Sequence, residues 1–126
     1  VPVDLGRIRQ DIYAVGTQQD HIVPWKSAWR TSRLVRGPVR FALGGSGHIA
    51  GVINPPTRGK GYWINDKPAS SADEWFEGAE HRSGSWWTDW LAWLQTRSGE
   101  RVAPPAVGSK SHPPIVPAPG TYVLEK

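Results

Sequence analysis

Two short apolar runs, each closed by glycine and separated by one helix-length of amphipathic sequence, constrain this chain most. Ile12-Tyr13-Ala14-Val15 runs into Gly16, and Val39-Arg40-Phe41-Ala42-Leu43 runs into Gly44-Gly45-Ser46-Gly47. Short runs rich in strand formers fit strands buried on both faces, as in a parallel sheet. Between them, Val23-Pro24 marks a helix start. From Trp25 to about Val35, Trp25, Ala28, Trp29 and Ser32 share one face, and Lys26, Arg30 and Arg33 share another. Gly37-Pro38 stops the helix. Strand, helix, strand in this order is a right-handed βαβ unit with parallel strands. The fold class is therefore α/β.

Beyond Ile53 the pattern changes. Asn54-Pro55-Pro56 breaks regular structure, and residues 57–70 read as an irregular loop holding Tyr62-Trp63. Ser71-Ala72-Asp73-Glu74 matches a capping box and predicts a short helix to about Ala79. Ser85 predicts a cap for a second helix from Trp86 to about Arg97, with Gly99 as its stop. Residues 100–126 hold six prolines and read as an extended surface tail. The expected division is a folded part over 1–99 and the Pro-rich tail over 100–126.

The 126 residues suit one domain but are too few for a complete α/β-hydrolase sheet with its lid. The first residue is Val1, and no basic stretch followed by an apolar run opens the chain. No stretch approaches the roughly 18 apolar residues of a membrane span. The expectation is a piece of a larger soluble protein. With no cysteine, these residues offer neither a disulfide, a thiol nucleophile nor a thiolate metal ligand. The net charge of +4 is dispersed, which reads as a solvated surface without a nucleic-acid footprint.

Asp20 follows the first strand and His48 follows the second. In a parallel sheet both loops leave at the carboxyl edge, where such folds place ligands. The 28-residue interval, one helix and one strand, permits a carboxylate to meet an imidazole across neighbouring strand ends. A carboxylate on one ring nitrogen fixes the tautomer and leaves the other nitrogen to take a proton. In α/β-hydrolases the order along the chain is nucleophile, acid, base. This stretch would supply the last two. Gly44-Gly45-Ser46-Gly47 fits neither a phosphate cradle nor a GxSxG elbow. His21, His48, His81 and His112 have no metal-ligand spacing, and no metal is expected.

Several strings, in order, resemble the C-terminal catalytic region of polyhydroxyalkanoate synthases. They are Asp20-His21-Ile22-Val23-Pro24-Trp25, the run from Gly44 through His48 to Pro56, Tyr62-Trp63-Ile64-Asn65-Asp66, Gly84-Ser85-Trp86-Trp87-Thr88-Asp89-Trp90, and Pro117-Ala118-Pro119-Gly120-Thr121-Tyr122-Val123. The resemblance implies the C-terminal portion of an α/β-hydrolase fold. It implies an acyltransferase that polymerises (R)-3-hydroxyacyl-CoA into polyester and releases coenzyme A, with a Cys-His-Asp triad. Asp20 and His48 match the triad acid and base; His21 matches a residue near the active site. The Ala50-Gly51-Val52-Ile53 form looks like the class I enzymes, which favour short-chain substrates such as 3-hydroxybutyryl-CoA. No cofactor is implied, since coenzyme A belongs to the substrate. The implied partners are the substrate, the growing polyester, a second copy in a homodimer and the surface of cytoplasmic polymer granules. The nucleophilic Cys would lie upstream, so this chain alone is expected to be inert. Two other functions fit the bare pattern: a piece of an esterase or polyester depolymerase, or a non-catalytic interaction module.

Six of the eight tryptophans lie from Trp63 onward. Trp86, Trp90 and Trp93 recur at i, i+4, i+7, as do Trp87, Leu91 and Leu94 on an adjacent face. This wide apolar arc predicts packing onto the sheet or contact with polyester or a partner subunit.

Overall fold

The computed structural model describes residues 2–125. Strands β1 (Ile12–Thr17) and β2 (Val39–Gly44) pair in parallel, with Ile12 beside Val39 and Thr17 beside Gly44. The intervening helix is in two pieces, α1 (Trp25–Trp29) and α2 (Thr31–Leu34). Arg30 between them stays helical at φ −56°, ψ −19°. A side-chain hydrogen bond accompanies the break. The Ser32 hydroxyl donates to the Trp29 carbonyl at 2.8 Å, and a side chain that competes for helix carbonyls disturbs the regular ladder. The expected faces hold: Trp29 is buried, while Lys26, Arg30 and Arg33 are exposed.

The loop expected over 57–70 needs correction, because it contains a strand. β3 (Tyr62–Ile64) pairs antiparallel with β2, and β4 (Glu80–Arg82) pairs antiparallel with β3. The result is one mixed four-stranded sheet in the order β1-β2-β3-β4. Both added strands have three residues, too few for a periodic signal. Their strand character comes from pairing.

Helices cover both faces of the sheet. The period of two along each strand sorts the side chains. Phe41 and Leu43 of β2 pack with Trp29 and with Ala72 and Trp75 of α3 (Ala72–Glu77). Ala42, between them in sequence, faces the opposite way, toward Tyr62, Ile64 and Trp86. Trp86 opens α4 (Trp86–Gln95), which covers that second face. Both expected caps form. The Ser71 hydroxyl accepts from the Glu74 N–H at 3.1 Å, and the Ser85 hydroxyl accepts from the Trp87 N–H at 3.0 Å. The Glu74 carboxylate reaches back one residue beyond the cap, to the Ser70 N–H at 2.7 Å. Residues 100–125 are almost wholly exposed and hold one 3-10 turn, Tyr122–Leu124.

The tryptophan arc divides. Trp86 is buried and stacks on Tyr13, and Trp93 meets the edge of the same ring at 5.5 Å. Trp90 and Leu91 remain exposed. Packing on the sheet thus accounts for one side of the arc.

Candidate active site

β1 and β2 end side by side, and the loops that follow deliver one functional group each. The Asp20 backbone N–H donates to the Thr17 carbonyl at 3.2 Å, turning the chain directly after β1. One carboxylate oxygen of Asp20 accepts from the backbone N–H groups of Ile22 and Val23 at 2.9 and 2.8 Å. The other oxygen meets Nδ1 of His48 at 2.8 Å and accepts from the Thr17 hydroxyl at 3.3 Å. The carboxylate is thereby held at both oxygens before it orients the imidazole. The Val23 N–H is the main reason that the Asp20 carboxyl is held down at about 2, below the ordinary value of 3.8. Partial burial opposes this, and the His48 and Ile22 contacts reinforce it. Asp20 is therefore ionised at neutral pH. Its side chain is 8% exposed, whereas that of His48 is 42% exposed.

A carboxylate can only accept, so Nδ1 of His48 carries the proton in this pair. In the neutral ring Nε2 is then the basic nitrogen. It belongs to an exposed ring at the sheet edge, where a reacting group can approach. The geometry is that of an oriented general base.

The second loop is shaped to present His48. Gly45 donates to the Gly61 carbonyl at 2.8 Å, and a Cβ at residue 45 would sit 2.4 Å from the Lys60 carbonyl oxygen. Only glycine fits this close approach. Ser46 takes a positive φ of 81°, a conformation rare outside glycine. Its carbonyl accepts from the Gln19 N–H at 3.0 Å, tying the His48 loop to the Asp20 loop. Strain of this kind concentrates at functional sites, where the surroundings over-determine the backbone.

Gly51 closes the turn, donating to the Gly47 carbonyl at 2.8 Å. A Cβ there would lie 2.4 Å from Cγ2 of the buried, β-branched Thr17. Gly51→Ala is therefore expected to lower stability by about 1–3 kcal/mol through overpacking. It also displaces the Thr17 hydroxyl from Asp20. Thermal denaturation checks the first effect, and the His48 ring signals in NMR check the second.

The structure brings Asp20 and His48 together. His21, expected near the site, lies exposed in the Asp20 turn, and its side chain makes no hydrogen bond among the described residues. Sequence reasoning missed Thr17, which supports the acid. It also missed the hydrogen-bonding role of Trp86 and Trp87, whose indoles donate to the backbone of the His48 loop at Gly51 and Val52. The available signal was the indole N–H, which needs a partner when the ring is packed.

The fold is thus of the α/β class, with a hydrogen-bonded carboxylate–imidazole pair at the carboxyl edge of two parallel strands. The sequence narrows the class to a family. The chain is 48% identical over its whole length to the poly(3-hydroxyalkanoate) polymerase subunit PhaC of Cupriavidus necator. It is 42% identical over 99% of its length to poly(3-hydroxyalkanoate) polymerase 2 of Ectopseudomonas oleovorans. It is 41% identical over 98% of its length to the polymerase subunit PhaC of Rhizobium etli. The chain belongs to the polyhydroxyalkanoate synthase family, as the sequence resemblance implied. It covers 22%, 23% and 20% of those three proteins, about a fifth of their length. No family model matches. Among the described residues no helix is long and apolar enough to cross a membrane.

Proposed function

We propose that this chain is the acid–base part of a polyhydroxyalkanoate synthase active site. Within it Asp20 orients His48, and His48 moves the protons of acyl transfer from a hydroxyacyl-CoA to a growing polyester. The observation behind this reading is the 2.8 Å contact between Nδ1 of His48 and the Asp20 carboxylate, in a chain of this family. The complete catalytic unit is an α/β-hydrolase-type core whose sheet continues beyond β1. The open edge of β1 suits a further parallel strand, since β1 pairs only with β2 among the described strands.

The chemistry follows from the free Nε2. His48 takes the proton of the nucleophile, which attacks the thioester carbonyl. The carbon–sulfur bond to coenzyme A breaks, and the imidazolium returns its proton to the departing thiolate. In chain extension the hydroxyl of one hydroxyacyl unit is the attacker, and Nε2 accepts its proton as the ester bond forms. Asp20 stabilises the imidazolium at each stage. These residues contain no cysteine, so the nucleophile belongs to another part of the protein. Short-chain (R)-3-hydroxyacyl-CoA is the proposed substrate, and the proposed setting is a dimer at the surface of cytoplasmic polymer granules.

The test is reconstitution. The 126-residue chain alone should release no coenzyme A from 3-hydroxybutyryl-CoA, as read by thiol-reactive dye. The full-length protein containing it should release coenzyme A and form polymer. Turnover by the isolated chain would show that its own residues include the nucleophile and would overturn this division of labour.

A further inference from the structure

The acid–base pair accounts for the tips of the two loops but not for what holds the second one still. The His48 loop is wound into two successive turns. Gly51 donates to the Gly47 carbonyl at 2.8 Å, and Ile53 donates to the Ile49 carbonyl at 2.8 Å. In such a turn the carbonyls at the far end have no partner within the turn itself. Those carbonyls belong to Gly51 and Val52, and both accept from α4. Nε1 of Trp86 donates to the Gly51 carbonyl at 2.9 Å, and Nε1 of Trp87 donates to the Val52 carbonyl at 3.0 Å. The Ser85 hydroxyl, which also caps α4, donates to the Asn54 carbonyl. Three consecutive residues at the start of one helix thus bind three of four consecutive carbonyl positions in one loop.

The base of this clamp is rigid. Trp86 is 7% exposed and stacks on Tyr13 of β1. The Gly51 carbonyl also lies against the backbone of Gly44, where a Cβ would be 3.0 Å from its oxygen. Any drift of the loop away from β2 stretches both indole hydrogen bonds. Any drift toward the acid drives Gly51 into Thr17, whose hydroxyl supports Asp20.

We infer that Trp86 and Trp87 are positioning residues for the general base, acting through the backbone of residues 51 and 52 to hold His48 in register with Asp20. The inference rests on the proposed catalytic role of His48. The two indoles do not touch the reacting atoms. Their effect passes through loop geometry, and small misplacement of a catalytic group is expensive in rate, about 10²-fold for 1 Å.

The test uses the full-length polymerase with Trp87→Phe, Trp86→Phe and, at each position, benzothienylalanine, which keeps the bicyclic ring but lacks the N–H. Trp87 is the half-buried member, so its variants remain informative if Trp86→Phe fails to fold. The expected result is a kcat lowered roughly 10-fold or more by each N–H deletion, with KM for 3-hydroxybutyryl-CoA within about 2-fold. The low-field Nδ1 proton of His48 should broaden or move upfield. In an Asp20→Asn background, where the register is already lost, the same deletions should lower kcat no further. Unchanged kcat and an unchanged Nδ1 resonance in the folded benzothienylalanine variants would overturn the inference. So would full additivity with Asp20→Asn. Failure of the catalytic reading is distinguishable, because His48→Ala would then retain activity whatever the indoles do.

Discussion

His48→Ala should reduce coenzyme A release by the full-length polymerase to background while leaving the fold intact. The ring is exposed, so its removal opens no cavity, and the turn around it is held by backbone and indole hydrogen bonds that do not involve the side chain. On the proposed mechanism, what disappears is the group that accepts the proton from the attacking atom. General-base assistance contributes roughly 10²–10⁴-fold. Asp20→Asn tests the second half of the pair. Asparagine retains an oxygen for the Val23 and Ile22 N–H groups, so the loop should persist. Its amide can instead donate to Nδ1, which places the ring proton on Nε2 and blocks the base. In the serine-protease triad the equivalent change lowers kcat about 10⁴-fold. Loss of comparable size is expected here, with circular dichroism unchanged. If either variant kept near-normal rates, the assignment of the pair would be wrong.

The same pair makes a statement about pH. Asp20 is held at about 2 in the fold against an ordinary 3.8, so the folded state favours its charged form. Its stabilising contribution is present above the unfolded value and fades as pH falls through the folded one. Across the neutral range the carboxylate does not change charge. An acid limb in kcat/KM above pH 5 would therefore report an imidazole rather than Asp20. Asp20→Asn should lower the plateau of such a profile without creating a new carboxylate limb.

How much of this was legible in the sequence depends on where each signal resides. The β1–helix–β2 unit is written locally: apolar runs end at glycine, and polar residues occupy one helix face. Once parallel pairing is granted, the loops after Thr17 and Gly44 must emerge together, so Asp20 and His48 could be paired without coordinates. β3 and β4 were not legible because their identity is relational. Glu80-His81-Arg82 has no apolar residue at all and becomes a strand only because Tyr62–Ile64 offers an edge. The division of the helix at Arg30 was hidden for a different reason, since Ser32 can face solvent or bond to Trp29 and only tertiary packing decides. The clamp on the His48 loop was half visible. Periodicity located the tryptophans on a helix, but it treats an indole as apolar bulk and says nothing about where the N–H will point.

The largest stability effect should come from a residue outside the site, Asp89. Its side chain is 8% exposed on α4, and it accepts two hydrogen bonds from Arg40 of β2, at 2.7 and 2.6 Å. The Tyr13 hydroxyl of β1 donates to it at 2.8 Å, and Arg82 of β4 approaches to 3.5 Å. Burial pushes the Asp89 carboxyl up, but the Arg40 and Tyr13 hydrogen bonds outweigh it and leave the group below its ordinary value. One carboxylate therefore fastens α4 to three strands. Asp89→Ala strands the Tyr13 phenol and leaves the partly buried Arg40 guanidinium with Asp66 alone, and removing one member of a buried pair costs about 3–5 kcal/mol. Arg40 retains some solvent contact, so a loss of about 2–4 kcal/mol is expected, read as a fall of about 1–2 M in the urea midpoint. Replacing both charges with apolar residues, Arg40→Met with Asp89→Leu, should recover much of that loss. The pH dependence fixes the origin. Because the folded value is depressed, the gap between the native protein and Asp89→Asn should be full above about pH 4 and narrow as pH falls through the folded value. A gap that stayed constant into acid would assign the effect to packing instead of charge. Since α4 also presents the two indoles to the His48 loop, and Asp89 lies in the same first turn of the helix as Trp86 and Trp87, Asp89→Ala should blur the Nδ1 resonance of His48 well before global unfolding.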